Sequence, residues 1–202
     1  MKLYDLKAGM NPRRVRIFLA EKGVTLPRVE VDMAGGENRR APYLTINPMG
    51  TMPVLELDDG THLSESIAIC RYIEELHPEP NLFGATPLER AQVEMWNRRM
   101  ELEIMRPVQD AFGHLSPFWV GRREQVADYG KLAQKTAAGR MTWLDGELAK
   151  RPFIAGDRYT VADITAQCAL LLGKNTGTPI PADLTNLNRW FGEVSSRPTA
   201  RA

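Results

Sequence analysis

The sequence predicts two domains in series, an α/β unit over residues 1–78 and an all-helical unit over residues 88–202, joined by a linker at 79–87. Three observations predict this. Strand-type and helix-type periodicities alternate as far as Leu76. Beyond Pro87 the strand signals vanish, and apolar residues recur only at helical spacing. Between the two regimes lies HPEPNLFGATP, which carries Pro and Gly and is otherwise mostly polar, as domain boundaries are.

Taken in order, Lys2 to Leu6 reads as a short alternating strand with Leu3 and Leu6 as its apolar candidates. Asn11-Pro12 reads as a helix start, with Asn11 as the cap and Pro12 at the first helical position, where a missing N–H costs nothing. Val15, Phe18, Leu19 and Lys22 come next at helical spacing, and Gly23 stops the helix. Arg28 to Val31 alternates again, and a polar stretch from Ala34 to Arg40 leads to a short helix near Pro42 to Ile46. Two β-type runs, Pro53 to Leu57 and Thr61 to Leu63, flank Asp58-Asp59-Gly60, a hairpin signal. Ser64-Glu65-Ser66 then opens a helix carrying Ile67, Ile69, Cys70, Ile73 and Leu76. Past the linker, Leu88 to Phe112 is a long helical pattern with a bend expected near Pro107, which lacks a backbone donor. Gln125 to Leu148, Thr160 to Leu172 and Asn188 to Ser196 complete the helical half.

Bulk composition narrows the functional classes. The 202 residues are 43% hydrophobic and 25% charged, as in an ordinary globular protein. A formal net charge of +1 offers no electrostatic basis for nucleic acid or an anionic membrane as partner. The longest apolar run, Cys168 to Leu172, is too short to span a bilayer, and the N-terminus lacks the apolar core of a signal peptide. A cytoplasmic location is the expectation. Cys70 and Cys168 read as reduced, buried residues. With three histidines and two cysteines at no ligand spacing, no metal is expected, and no glycine-rich phosphate loop follows a strand.

Three motifs carry a family resemblance across essentially the whole chain. Asn47-Pro48-Met49-Gly50-Thr51-Met52-Pro53-Val54-Leu55 precedes Leu63-Ser64-Glu65-Ser66-Ile67-Ala68-Ile69. Phe153-Ile154-Ala155-Gly156-Asp157-Arg158-Tyr159-Thr160-Val161-Ala162-Asp163 has the form of a capping box, Thr160 capping a helix and Asp163 reaching back. Pro12-Arg13-Arg14-Val15-Arg16-Ile17-Phe18-Leu19-Ala20-Glu21-Lys22-Gly23 forms the first helix. Together they resemble the cytosolic glutathione S-transferases. That resemblance implies a thioredoxin-like N-terminal domain, an all-helical C-terminal domain holding a second substrate, and a homodimer.

It also implies a site. Pro53 would be cis, leaving the Met52 N–H and C=O unpaired for the cysteinyl backbone of glutathione, as an added strand pairs with a sheet edge. Thr51 lies beside that edge. Ser66 and the helix amides would take the γ-glutamyl carboxylate, and Glu65 its ammonium. Taken singly, Pro53 is a turn proline and Ser64-Glu65-Ser66 a helix cap; the joint spacing carries the ligand reading. Arg39 and Arg40 are both candidates for the glycine carboxylate. The helix start near Asn11 would favour a thiolate over a thiol.

The activating residue is where this chain departs from the family. Serine- and cysteine-type members place theirs at the position of Gly9, and tyrosine-type members at the position of Asp5. Tyr4 is one place off, and period two turns it to the other face. Asn11 remains, either as a cap or as an amide donor to the glutathione sulfur. The expected reaction is transfer of the glutathione thiolate to a small apolar electrophile. Related members lacking the hydroxyl imply one alternative, glutathione-dependent disulfide or peroxide reduction, and a non-catalytic ligand-binding protein is the other. The second-substrate pocket is expected to involve Met100, Ile104, Phe112, His114 and Trp119.

Overall fold

The computed structural model describes residues 1–202, in two compact units: 1–81 with 201–202, and 82–200. In the first unit, β1 (Lys2–Asp5) buries Leu3 and Asp5 on one face and half-buries Lys2 and Tyr4 on the other. The helix α1 (Met10–Glu21) is the crossover that lets β2 (Arg28–Glu30) lie parallel to β1, with Leu3 opposite Arg28. On the opposite side of β1, β3 (Val54–Glu56) runs antiparallel with Leu3 opposite Leu55. A hairpin turn then brings in β4 (His62–Ser64), Leu55 opposite Leu63. The sheet order is β2-β1-β3-β4.

Helix α2 (Ala41–Ile46) joins the sheet through a cluster of Tyr43 and Ile46 with Tyr4, Val31, Met52 and Val54. Helices α1 and α3 (Ser66–Leu76) pack against each other, burying Val15, Phe18, Leu19, Ile69 and Ile73. At the end of α1, the buried Lys22 Nζ meets Glu74 Oε2 at 2.5 Å and donates to the Pro80 carbonyl at 2.6 Å. The charges are compensated, as burial requires, and the pair ties α1 and α3 to the segment that comes after α3.

The helical unit begins with Leu82 and Phe83, both buried, and the Val161 N–H donates to the Leu82 carbonyl at 3.0 Å. Thr86 caps α4 (Pro87–Arg99) by accepting from the Glu89 N–H. Near Pro107, where a bend is expected, the helix passes through a π-helical turn over Met100–Met105. There the Arg106 N–H reaches the Glu101 carbonyl, and Pro107, which has no N–H, is the second residue of α5 (Arg106–Leu115), directly after the wider turn. The next helix, α6 (Ala127–Leu148), starts two residues later than the apolar pattern suggested. Gln125 stays outside it, its Nε2 donating to the Gly113 and Ser116 carbonyls at 3.2 and 3.0 Å. Thr160 and Asp163 form the expected capping box on α7 (Val161–Asn175), and α8 (Thr185–Ser196) completes the unit's long helices. No helix is long and apolar enough to cross a membrane.

Candidate functional site

The loop before β3 is held rigid by side chains from α2 and its surroundings. Tyr43 Oη and Asn47 Nδ2 both donate to the Thr51 carbonyl at 2.8 Å, and Asn47 Nδ2 also reaches Thr51 Oγ1 at 3.1 Å. Burial pushes the Tyr43 hydroxyl up to about 12, so it keeps its proton and remains a donor. Asn38 Nδ2 donates to the Gly50 carbonyl at 2.7 Å. Gly50 has φ +62, and a Cβ there would stand 2.8 Å from the Asn38 carbonyl oxygen, so only glycine fits the turn. The loop ends at Met52-Pro53, joined by a cis bond. The Met52 N–H and C=O have no partner in the protein, although Met52 itself is buried. Thr51 is exposed beside this free edge.

A second group of free donors lies at the start of α3. Glu65 has φ +67, an uncommon value for a residue with a side chain, of the kind that clusters at functional sites. Its carboxylate is exposed and makes no hydrogen bond or ion pair within the protein. The amides of Ser66, Ile67 and Ala68 are the unpaired first donors of the helix, since the first bond within it runs from Ile69 back to Glu65. Ser66 Oγ accepts from Arg14 Nη1 of α1 at 2.9 Å. A free peptide edge and a free helix start therefore occur in the same unit, the second bridged to α1 through Arg14.

The loop into α1 corrects the sequence reading of Asn11. The helix begins at Met10, its cap residue is Gly9, and no side chain caps it. Asn11 is the second helical residue and not the cap. Pro12 is the third and has no N–H. Neither the backbone N–H nor the side-chain amide of Asn11 has a partner in the protein. Asp5 anchors this loop. Arg16 Nη1 donates to Asp5 Oδ1 at 2.6 Å, while Arg16 Nη2 donates to the Lys7 carbonyl at 2.9 Å. Tyr4 is on the other face, donating to Glu56 Oε2 at 2.8 Å.

Gly9 is closed to any side chain. Its φ of −76° suits every residue, but a Cβ would stand 2.9 Å from both Cγ and Cδ of Pro12 and 3.1 Å from the Leu6 carbonyl oxygen. A side chain at this position would therefore crowd the Pro12 ring. Gly9→Ala is expected to lower stability by about 1–3 kcal/mol through overpacking, measured by urea unfolding. A change within experimental error would show that the loop relaxes freely.

Arg39 and Arg40 separate clearly. Arg40 Nη2 is engaged with the Gly35 carbonyl at 2.8 Å. Arg39 is exposed, makes no hydrogen bond through its side chain, and places Nη1 3.5 Å from where a Gly50 Cβ would stand. In the helical unit, Met100 and Ile104 have no exposed surface and belong to its core, so they do not line an open pocket. The π-helical turn places both inward. Phe112, His114 and Trp119 are half-buried. The Phe112 ring stacks with Phe118 and meets Trp119 edge-on, and His114 Nδ1 accepts from the Val126 N–H at 3.0 Å.

Sequence reasoning missed Arg14, Arg16 and the Asp5 anchor. The signal was present: two arginines stand among Val15, Ile17, Phe18 and Leu19, where buried positions otherwise carry apolar side chains.

A four-stranded mixed sheet with a free backbone edge, followed by an all-helical unit, is a thioredoxin-like domain joined to a helical transferase domain. Residues 10–76 match the family model described as the glutathione S-transferase N-terminal domain, and residues 109–198 that of the C-terminal domain. The chain is 37% identical to glutathione S-transferase 2 of Saccharomyces cerevisiae, over all of this chain and 88% of that protein. It is 43% identical to the maleylacetoacetate isomerase of Pseudomonas aeruginosa, over 82% of this chain and 81% of that one. A solved glutathione S-transferase domain-containing protein from Marinobacter aquaeolei superposes with a TM-score of 0.94 at 41% identity, covering 98% and 99% of the two chains. The chain belongs to the glutathione S-transferase family.

Proposed function

We propose that this protein binds glutathione along the Met52 edge and transfers its thiolate to a small apolar electrophile. The observation that carries this reading is the unpaired Met52 N–H and C=O in the same unit as the three unpaired amides opening α3. The cysteinyl backbone pairs with Met52, beside Thr51 and the cis Pro53. The γ-glutamyl carboxylate takes the α3 amides and Ser66, and Glu65 takes the ammonium. Arg39 takes the glycine carboxylate, since its guanidinium makes no bond within the protein, while Arg40 Nη2 is held at the Gly35 carbonyl. The thiol releases its proton to solvent, and the thiolate is held by the α1 start and Asn11. Its sulfur then attacks an electrophilic carbon, whose leaving group departs with the bonding electrons. Phe112, His114 and Trp119 contribute the second-substrate surface of the helical unit, and the protein acts as a cytoplasmic homodimer.

The closed Gly9 position favours a second reading, glutathione-dependent disulfide or peroxide reduction. The protein has no accessible thiol, because Cys70 and Cys168 are both buried. Two glutathione molecules would therefore supply the two electrons and leave as glutathione disulfide.

Calorimetric titration with glutathione tests the common core, with a chloronitrobenzene, a hydroperoxide and a mixed glutathione disulfide as reactivity probes. Arg39→Ala is expected to weaken glutathione about 10-fold, and Arg40→Ala to leave it nearly unchanged. Absence of glutathione binding would overturn both enzymatic readings. Binding without turnover of any probe would make this a ligand-binding protein.

A further inference from the structure

We infer that Arg14 is a positioning residue for the γ-glutamyl carboxylate, acting through the Ser66 hydroxyl; the inference rests on the glutathione-binding reading above. Arg14 is only 2% exposed. A guanidinium is costly to desolvate, and packing alone would place an apolar residue at this point of α1. What the position provides is a donor. Arg14 Nη1 lies 2.9 Å from Ser66 Oγ, and Ser66 is the first residue of α3.

A hydroxyl has one hydrogen and two lone pairs. The guanidinium occupies a lone pair, so the Ser66 hydrogen has to be donated elsewhere. The protein supplies no acceptor for it, and the Ser66, Ile67 and Ala68 amides beside it have none either. All four are donors that await an anion. Arg14 thereby turns Ser66 from a residue that can donate or accept into a fixed donor. Its buried charge also strengthens that hydroxyl as a donor, being little screened by solvent. A carboxylate satisfies this set, and an uncharged or amidated end does not.

The test compares glutathione with its analogue lacking the α-carboxyl, 4-aminobutanoyl-cysteinylglycine, by calorimetry. Wild-type protein is expected to prefer glutathione by about 30-fold or more, and Arg14→Met to reduce that preference to about 3-fold, with the analogue's own affinity nearly unchanged. Arg14→Lys, which keeps the charge without the planar fork, restores part of the preference. Equal weakening of both ligands in a folded Arg14→Met protein would overturn the inference, because a packing role cannot tell the two ligands apart. Should Arg14→Met fail to fold by circular dichroism, Ser66→Ala decides with the same ligand pair. A reduced preference in Ser66→Ala supports the relay, and an unchanged preference sinks it. If wild-type protein binds neither ligand, the glutathione reading itself has failed.

Discussion

Replacing Asp163 by Ala is expected to cost about 3–5 kcal/mol of folding stability, read by urea unfolding near neutral pH. Its carboxylate is fully buried and accepts from four donors. Oδ1 takes the Ile154 N–H at 3.0 Å and Trp190 Nε1 at 2.9 Å. Oδ2 takes the Thr160 N–H at 2.9 Å and Thr160 Oγ1 at 3.1 Å. Three segments, the loop at Ile154, the start of α7 and α8, thus converge on one side chain. Its removal leaves every donor buried and unpaired, whereas loss of an exposed cap would cost only about 1 kcal/mol. A loss below that smaller figure would show that water replaces the carboxylate.

The same group has a pH signature. Burial pushes the Asp163 carboxyl up to about 6, against the pull of its four donors. Its folded value lies above the unfolded value of 3.8, so the native state holds the proton to higher pH. The proton-linked part of the stability it contributes is complete below the unfolded value and is lost as pH rises through 6, and the part that comes from its four hydrogen bonds remains at neutral pH. The stability gap between wild type and Asp163→Ala is therefore expected to narrow from about pH 4 to about pH 7. A gap that widens over this range would contradict the assignment.

The largest functional effect is expected at Asn11. Asn11→Ala should remove the ultraviolet thiolate absorbance of bound glutathione and lower kcat/KM for conjugation on the order of 10²-fold. Affinity for S-methylglutathione, which has no thiol to ionise, should be retained. The reason is a shortage of donors at the start of α1. Gly9 has no side chain and no room for one, and Pro12 has no N–H. Asn11 contributes both an unpaired backbone N–H and an unpaired side-chain amide. Alanine keeps the first and deletes the second. Unchanged absorbance and rate would mean that backbone amides alone hold the sulfur.

Much of this molecule is readable from local pattern. The Asp58-Asp59-Gly60 hairpin, the helix opened by Ser64-Glu65-Ser66 and the box of Thr160 and Asp163 are short-range features. Each is encoded within a few neighbouring residues, and each is present. Asn11 is not the cap because the helix starts two residues earlier than the Asn-Pro pair suggests, and such boundaries depend on cap geometry more than on residue type. Met100 and Ile104 fit a helix-spaced pocket as well as a helix-spaced core, because periodicity reports which face is apolar and not what covers it.

By itself, the sequence determined the order of elements, the two-part architecture, the family and the segments that form the candidate site. The tertiary structure alone decided which atoms in those segments are free. It showed that Arg40 is engaged and Arg39 is not, that Asp5 anchors a loop through Arg16, and that Arg14 reaches Ser66. It also showed that the Pro12 ring crowds the place a Cβ at Gly9 would take. Local structure depends on a few adjacent residues and leaves its mark in their spacing. Hydrogen-bond availability and free volume depend on side chains brought together from distant parts of the chain, and no spacing within one segment records them.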